Sequence, residues 1–391
     1  MKKAVIVAGM AYGDEAKGAT VDFLCRDLGA SLVVRYNGGH QAAHNVVLED
    51  GRHHTFSQFG SGTFIPGVKT YLSRFMLVNP LAMMCEEEHL LSVGVTDAWQ
   101  RTTVDENCVV VTPYHRAFNR LEEISRGHRA HGSCGVGIGV ARRLELEGLA
   151  LRVKELGKGA KTRDILRTIR TRLQLESVAL NYRFEDTPEV LQEQHTLAEY
   201  ENDSELSGYY RAWLEKVKIV PGFTPQDGMI FEGAQGVLLD EKHGTAPHNT
   251  WTNTTFENAF TLLNEAGYQG EVTKIGCWRS YFTRHGSGPF PSESQWGEEE
   301  HPELHNTCGR YQGRWRIGSF DYDSAEQATK ICGGVDEIAI SHMDYRRDPS
   351  GTMWVEPKLL EDALGAPVTI LSYGPTAQDR MRAWTAKPTF N

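Results

Sequence analysis

Apolar and polar positions fall in blocks along this 391-residue chain, and the first forty residues set the pattern. Ala4 to Ala8 is an unbroken apolar run, short enough for a buried parallel strand, and it leads into a turn bracketed by Gly9 and Gly13. From Asp14 to Leu28 the apolar Phe23, Leu24 and Leu28 recur at helical spacing. Asp14 and Glu15 suit a helix start and Gly29 suits its stop. Leu32 to Val34 reads as a second strand running straight into Asn37-Gly38-Gly39-His40. The pattern predicts two glycine loops at the same carboxyl edge of a sheet, where α/β folds bind ligands.

The rest of the chain continues in this manner. Gly51, Gly60, Gly62, Pro66 and Gly67 punctuate short apolar runs and predict connecting β structure over 50 to 80. Leu81 to Val93 and Arg116 to Arg126 read as helices, and Cys108 to Thr112 as a strand ending near His115, a residue type that is more often structural than catalytic in such a place. Gly132 to Gly139 is another glycine-rich loop. Residues 185 to 217 are acidic and polar, and the spacing of Leu191, Leu197, Tyr200, Leu206 and Tyr209 predicts a peripheral helical region. Met229-Ile230-Phe231 is a strand that delivers Glu232 to Gly236. A further strand ends at Thr283-Arg284-His285-Gly286, and Ile338 to Ile340 leads to Ser341-His342-Met343-Asp344. No linker interrupts the pattern. The expectation is one α/β domain over residues 1–391, with a large, mostly parallel central sheet, flanking helices and β-hairpin excursions.

Composition narrows the class. A net charge of −10 argues against a general nucleic-acid-binding surface. Seven cysteines without paired metal spacing read as reduced thiols of a cytoplasmic protein. No stretch approaches the ~20 apolar residues of a membrane span, and no targeting segment is visible.

The candidate chemistry lies in the loops. Gly13-Asp14-Glu15-Ala16-Lys17-Gly18 has the ingredients of a phosphate cradle, namely small residues, a helix start and one lysine, without the Walker order of residues. Asp14 in the first loop and His40 in the second supply a metal-ligating carboxylate and an acid–base pair. The uncharged amide of Gln235 suits a base edge or a developing oxyanion. Arg310, Arg314 and Arg316, set among glycines, suit bidentate recognition of a dicarboxylate. Asp344 can accept from guanine N1–H and N2–H, donors that adenine lacks.

The segments G-D-E-A-K-G and Y-N-G-G-H-Q-A-A-H resemble the adenylosuccinate synthetase family, whose usual forms are G-D-E-G-K-G and G-G-H-N-A-G-H. Further similar segments are G-S-C-G-V-G-I-G, F-E-G-A-Q-G-V-L-L-D, H-G-T-A-P-H-N-T-W-T-N-T-T, T-R-H-G-S-G-P-F-P, G-R-W-R-I-G and S-Y-G-P, in the family's order over nearly the whole chain. The resemblance implies a homodimeric ligase, dependent on GTP and Mg²⁺, that joins L-aspartate to a purine nucleoside monophosphate through a 6-phosphoryl intermediate. It places Asp14, His40 and Gln235 at the chemistry, and Asp14 with the Gly39 carbonyl on the metal. Gly13, Glu15, Ala16, Lys17, Gly18 and Asn37 would line the nucleotide phosphates. Ser133 and Cys134 stand where threonines usually hold the acceptor phosphate, Arg142 near an arginine that reaches across the dimer, and Thr250 at the threonine that completes that site. Thr307 and the three arginines would hold aspartate, with either T-C-G-R or G-R-W-R laid on the family's arginine run. Asp344, Ser372 and Gly374 would hold the donor base.

The chain departs from the usual pattern at Ala16, Ala43, Val136, His285 and His342. These positions cluster around the nucleotides, so the acceptor stays open between IMP and dGMP, the substrate of a phage branch that makes a 2-aminoadenine precursor. The donor stays open between GTP and ATP. A non-catalytic nucleotide sensor on the same fold is the alternative of another class.

Overall fold

The structure, a computed structural model, describes residues 3–180, 187–199, 202–294, 309–345 and 354–383. The chain opens on strand β1 (Lys3–Gly9), helix α1 (Lys17–Leu28) and strand β2 (Leu32–Arg35). The helix starts at Lys17, not at Asp14, because Ala16 takes left-handed backbone angles (φ 55°, ψ 36°) through which an α-helix cannot run. Gly29 closes it in the same conformation.

A hairpin of β3 (His44–Val47) and β4 (His53–Phe56) comes next, then β5 (Lys69–Leu72), β6 (Leu77–Val78), α2 (Pro80–Ser92), β7 (Thr102–Asp105) and β8 (Val109–Val110). Helix α3 (Pro113–Arg126) begins directly afterwards. His115 is buried, and its Nδ1 accepts from the Thr112 N–H at 2.9 Å, so it caps this helix.

Helices α4 (Ile138–Leu146), α5 (Ala160–Val178), α6 (Pro188–Ala198) and α7 (Asn202–Lys216) follow. The acidic 185 to 217 region is not peripheral. Val190, Leu197, Leu206, Tyr210 and Trp213 sit in an apolar cluster with Leu121 of α3 and Leu166, Ile169 and Leu173 of α5. Leu191 and Tyr209 remain exposed, one position off this stripe, and Tyr200 lies outside the described residues.

The second half supplies β9 (Lys218–Val220), β10 (Met229–Gly236), α8 (Glu257–Glu265), β11 (Glu271–Arg279) and a hairpin of β12 (Phe282–His285) with β13 (Trp315–Gly318). It ends on α9 (Tyr322–Ile331), β14 (Glu337–Ser341), α10 (Pro357–Leu364), β15 (Val368–Ser372) and β16 (Arg380–Arg382).

Ten strands form one sheet in the order β16-β15-β14-β11-β1-β10-β2-β5-β7-β9. Its pairings are parallel except for β15 with β16, as the fold class expected. Ala4, Ile6 and Ala8 pack into one apolar cluster and Val5 and Val7 into another, so β1 is covered on both faces. Strand β10 pairs with β1 on one side and β2 on the other. Because the three run parallel, Gln235 at the end of β10 and the loops holding Asp14 and His40 lie at adjacent carboxyl ends.

Candidate active site

The first loop is built around its own ion pair. The Glu15 carboxylate is buried and accepts from the N–H groups of Ala11 (3.1 Å) and Gly13 (2.7 Å). Lys17 Nζ lies 2.8 Å from Glu15 Oε2 and donates to the Gly13 carbonyl at 2.6 Å. Glu15 and Lys17, expected to line phosphate, are thus turned inward and hold the loop in shape. A Cβ on Gly9 would fall 2.2 Å from Glu15 Oε2, so only glycine fits beneath the pair. Gly18 packs equally closely on His44, fixing α1 against the second loop.

Asn37 is likewise engaged within the protein. Its side chain is fully buried, donating to the carbonyls of Ala234 (3.2 Å) and Asn253 (2.9 Å) and accepting from the Ala234 N–H (2.7 Å). Its amide staples the end of β2 to β10. Below it, Glu232 of β10 accepts from His44 Nδ1 (2.5 Å), the Ser61 N–H (2.9 Å) and the Ser61 hydroxyl. Burial alone would raise this carboxyl, but the Arg35 charge and the His44 and Ser61 hydrogen bonds hold it near 2. His44 is pushed down to about 4 by burial against the pull of Glu232, so a neutral imidazole donates to an ionised carboxylate.

His40 is oriented by a residue the sequence reading missed. Asn79 caps α2 by accepting from the Ala82 N–H at 3.2 Å through Oδ1, which turns its Nδ2 toward His40 Nε2 at 3.3 Å. Nε2 therefore accepts, and the proton sits on Nδ1. That nitrogen is buried with no hydrogen-bond partner among the described residues. Burial and the nearby Arg116 charge lower the imidazole to about 4, so His40 offers a neutral N–H donor.

Gln235 has a left-handed backbone (φ 62°), and its Oε1 accepts from Thr252 Oγ1 at 3.2 Å, with Thr250 Oγ1 3.5 Å beyond. A Cβ on Gly13 would sit 3.6 Å from the Gln235 backbone and one on Gly38 only 2.7 Å from Ala234. Both glycine loops therefore pack on the Gln235 loop.

The β12–β13 hairpin follows β11 at the same edge. His285 Nε2 is 3.2 Å from Asp14 Oδ2. Burial would raise the Asp14 carboxyl, but the His285 hydrogen bond and charge, with Arg279 and Lys17, bring it below its ordinary value. Glu293 puts one oxygen 2.8 Å from Arg314 Nη2 and the other 2.7 Å from Arg316 Nη1. Arg310 turns away and pairs with Glu189, which also accepts from the Tyr311 hydroxyl. The structure groups Arg314 with Arg316 and separates Arg310. Thr307 lies outside the described residues.

Elsewhere along the edge, Ser133 Oγ accepts from Asn119 Nδ2 at 2.9 Å, Cys134 is exposed, and Arg142 is paired with Glu145 at 2.6 Å. Asp344 lies exposed in the turn after β14. Ser372 donates to the Gly374 carbonyl at 3.0 Å. His342 is half-buried with a left-handed backbone (φ 59°), edge-on to Tyr281, and Nδ1 bonded to Ser341, so it is tucked into the protein rather than laid open for stacking.

Among the described residues no three His, Cys, Asp or Glu side chains gather into a metal cage. The partly accessible Asp14 carboxylate and the Gly39 carbonyl, which takes one hydrogen bond from Ala42 N–H at 3.2 Å and keeps a second lone pair, are hard oxygen donors. That donor set fits Mg²⁺, which takes one or two protein oxygens and fills its shell with water and substrate phosphate.

Comparison with known proteins agrees with this fold. The family model described as adenylosuccinate synthetase matches residues 6–349. The adenylosuccinate synthetase of Marinomonas sp. is 30% identical over 363 residues, covering 90% of this chain and 76% of that protein. That of Aliivibrio fischeri is 32% identical over 344 residues, covering 84% and 74%. Among solved structures, the fully ligated adenylosuccinate synthetase of Plasmodium falciparum superposes with a TM-score of 0.71 at 18% identity, over 97% of this chain and 99% of the other. The cyanophage S-2L succinoaminodeoxyadenylate synthetase, bound to dGMP and dATP as energy donor, gives 0.64 at 20% identity, over 98% and 96%. At such identities the two structures speak for the fold alone. The family match and the identities over most of both chains show that this protein belongs to the adenylosuccinate synthetase family and is a ligase that forms carbon–nitrogen bonds.

Proposed function

We propose that the enzyme joins L-aspartate to C6 of a 6-oxopurine nucleoside 5′-monophosphate, with IMP as acceptor and GTP as phosphoryl donor. The observation that carries this reading is the delivery of Asp14, Gln235 and His40 from the carboxyl ends of the adjacent strands β1, β10 and β2. A purine 6-oxygen is a poor leaving group, and converting it to phosphate makes displacement by an amine feasible. Asp14 removes the N1 proton, and the Gln235 amide, held by Thr252, steadies the charge that develops on the 6-oxygen. The His40 Nδ1–H, unpartnered in the site, donates to the transferring phosphoryl group. Asp14 and the Gly39 carbonyl would hold Mg²⁺, which when bound supplies charge neutralisation at the phosphates. Arg314 and Arg316 bind the carboxylates of aspartate, whose amine then displaces phosphate.

We read the enzyme as a cytoplasmic homodimer. Leu146 of α4, one turn from Arg142, and Leu175 and Val178 of α5, which flank the Glu176 that pairs with Arg143, are exposed apolar residues, and Arg142 is the residue expected to cross such an interface.

Phosphate release with GTP, Mg²⁺ and aspartate, while IMP, dIMP, GMP and dGMP are supplied in turn, tests the reading. Release that requires both aspartate and IMP is expected. Preference for dGMP would move the enzyme to the phage-type reaction, and nucleotide binding without turnover would make it a sensor.

A further inference from the structure

His285 stands on the reacting carboxylate, yet it belongs to the hairpin that carries the arginine pair. It ends β12 opposite Trp315 of β13, with Arg284 opposite Arg316 one step earlier. The next residue locks to the arginine strand, since Gly286 N–H donates to the Arg314 carbonyl at 2.8 Å. A Cβ on Gly286 would lie 2.2 Å from the Gln312 carbonyl, so backbone packs on backbone there. Asp14 comes from the first glycine loop, in a separate part of the sequence. Its carboxylate has two oxygens, and His285 Nε2 lies 3.2 Å from one of them, Oδ2. A hydrogen bond to one carboxylate oxygen narrows the side-chain torsions open to the residue and favours one direction for the second oxygen.

We propose that His285 is a positioning residue that holds Asp14 in a single rotamer and joins the proton-abstracting loop to the hairpin that binds the amine donor. The hydrogen bond sets the two half-reactions in one frame: it occupies one side of the Asp14 carboxylate and leaves the other open to the acceptor and the metal, while Arg314 and Arg316 place the attacking amine from the same hairpin. This inference rests on the reaction proposed above. Groups that orient a metal-ligating side chain, the role proposed for Asp14, typically contribute about 10- to 100-fold to metal affinity or activity.

The test uses the full chain with His285→Leu, which keeps bulk but removes the donor, and His285→Gln, whose amide nitrogen reaches the place of Nε2. In His285→Leu, kcat is expected to fall about 10- to 100-fold while KM for GTP stays within about twofold. His285→Gln should recover most of the loss. In an Asp14→Asn background the leucine change should cost little more, since both act through one carboxylate. Crystal structures of wild type and variants read the same point without turnover. One Asp14 rotamer is expected in wild type and His285→Gln, and a rotated or divided carboxylate in His285→Leu. If the leucine variant does not fold, His285→Asn, too short to reach Oδ2, makes the same comparison. An unchanged Asp14 rotamer, a wild-type kcat in His285→Leu, or losses that add fully to Asp14→Asn would overturn the assignment. A wild-type enzyme without aspartate-dependent turnover would instead overturn the reaction, leaving the rotamer comparison to judge His285.

Discussion

Lys17 and Glu15 form a buried ion pair inside the first glycine loop, Nζ to Oε2 at 2.8 Å, with both side chains almost fully removed from solvent. Breaking a buried pair from one side leaves the other charge uncompensated, at a cost of about 3–5 kcal/mol. Glu15→Gln should therefore destabilise the protein by about that amount in urea unfolding, although glutamine can still accept from Ala11 and Gly13. A change below about 1 kcal/mol would mean that Lys17 finds water or another partner once Glu15 is neutral.

The shared carboxylate of Glu293 singles out two of the three candidate arginines. Arg316 is the less exposed of the pair, and losing such a charge-assisted contact typically costs about 2–5 kcal/mol. Arg316→Ala, and to a smaller degree Arg314→Ala, should raise KM for aspartate more than KM for either nucleotide. Arg310→Ala should leave it nearly unchanged, because its partner Glu189 lies on α6, apart from the Glu293 carboxylate that gathers Arg314 and Arg316. Glu293→Gln frees the pair and should lower KM for aspartate. Equal effects of all three arginines in steady-state kinetics would contradict the grouping.

Acid should destabilise the fold in two windows. His40 and His44 are lowered to about 4 and His115 to about 3, each from 6.5 and each chiefly by burial. The unfolded chain thus binds more protons between those values, and stability falls as pH drops from 6.5 toward 4. Glu232, held near 2 from 4.5, adds a second loss as pH falls through that lower range. Urea midpoints at pH 7, 5.5 and 4.5 should decline steadily, and His115→Gln should flatten the first window. A midpoint that stays constant from pH 7 to 5 would show that these imidazoles charge freely in the folded state.

The strand, loop, helix, strand order of the first unit was legible because its signals are local: apolar runs, glycines and helical spacing. The sheet order was not. Nothing near Val7 or Val34 says that Met229–Gly236 will lie between their strands. The start of α1 was misplaced because Ala16 is held left-handed beside the Glu15–Lys17 clasp, an arrangement a propensity reading cannot contain. The clasp of Asn37 was not legible for the same reason, since its partners Ala234 and Asn253 are distant in sequence. Two signals were present and unread. Glu232 interrupts an apolar strand run, which requires a buried partner, and Asn79 before Pro80 is a helix cap whose second face had to point somewhere.

The donor base should be read by Asp344, since His342 is tucked against Tyr281 and Ser341. Once a bound base covers it, a carboxylate facing an edge without donors loses about 1–3 kcal/mol, equivalent to roughly a tenfold to hundredfold preference for GTP over ATP. Asp344→Asn should erase most of that preference in kcat/KM. Equal use of both donors by the wild type would remove Asp344 from the donor site.

Phosphorylation of the purine oxygen is the step on which Asp14, His40 and Gln235 converge, and oxygen labelling reads it directly. IMP carrying ¹⁸O at the 6-position is turned over with unlabelled GTP and aspartate, and the released phosphate is weighed by mass spectrometry. One labelled oxygen per phosphate is expected, because the purine oxygen leaves bound to phosphorus. Phosphate free of label, with succinylated product formed, would contradict the account.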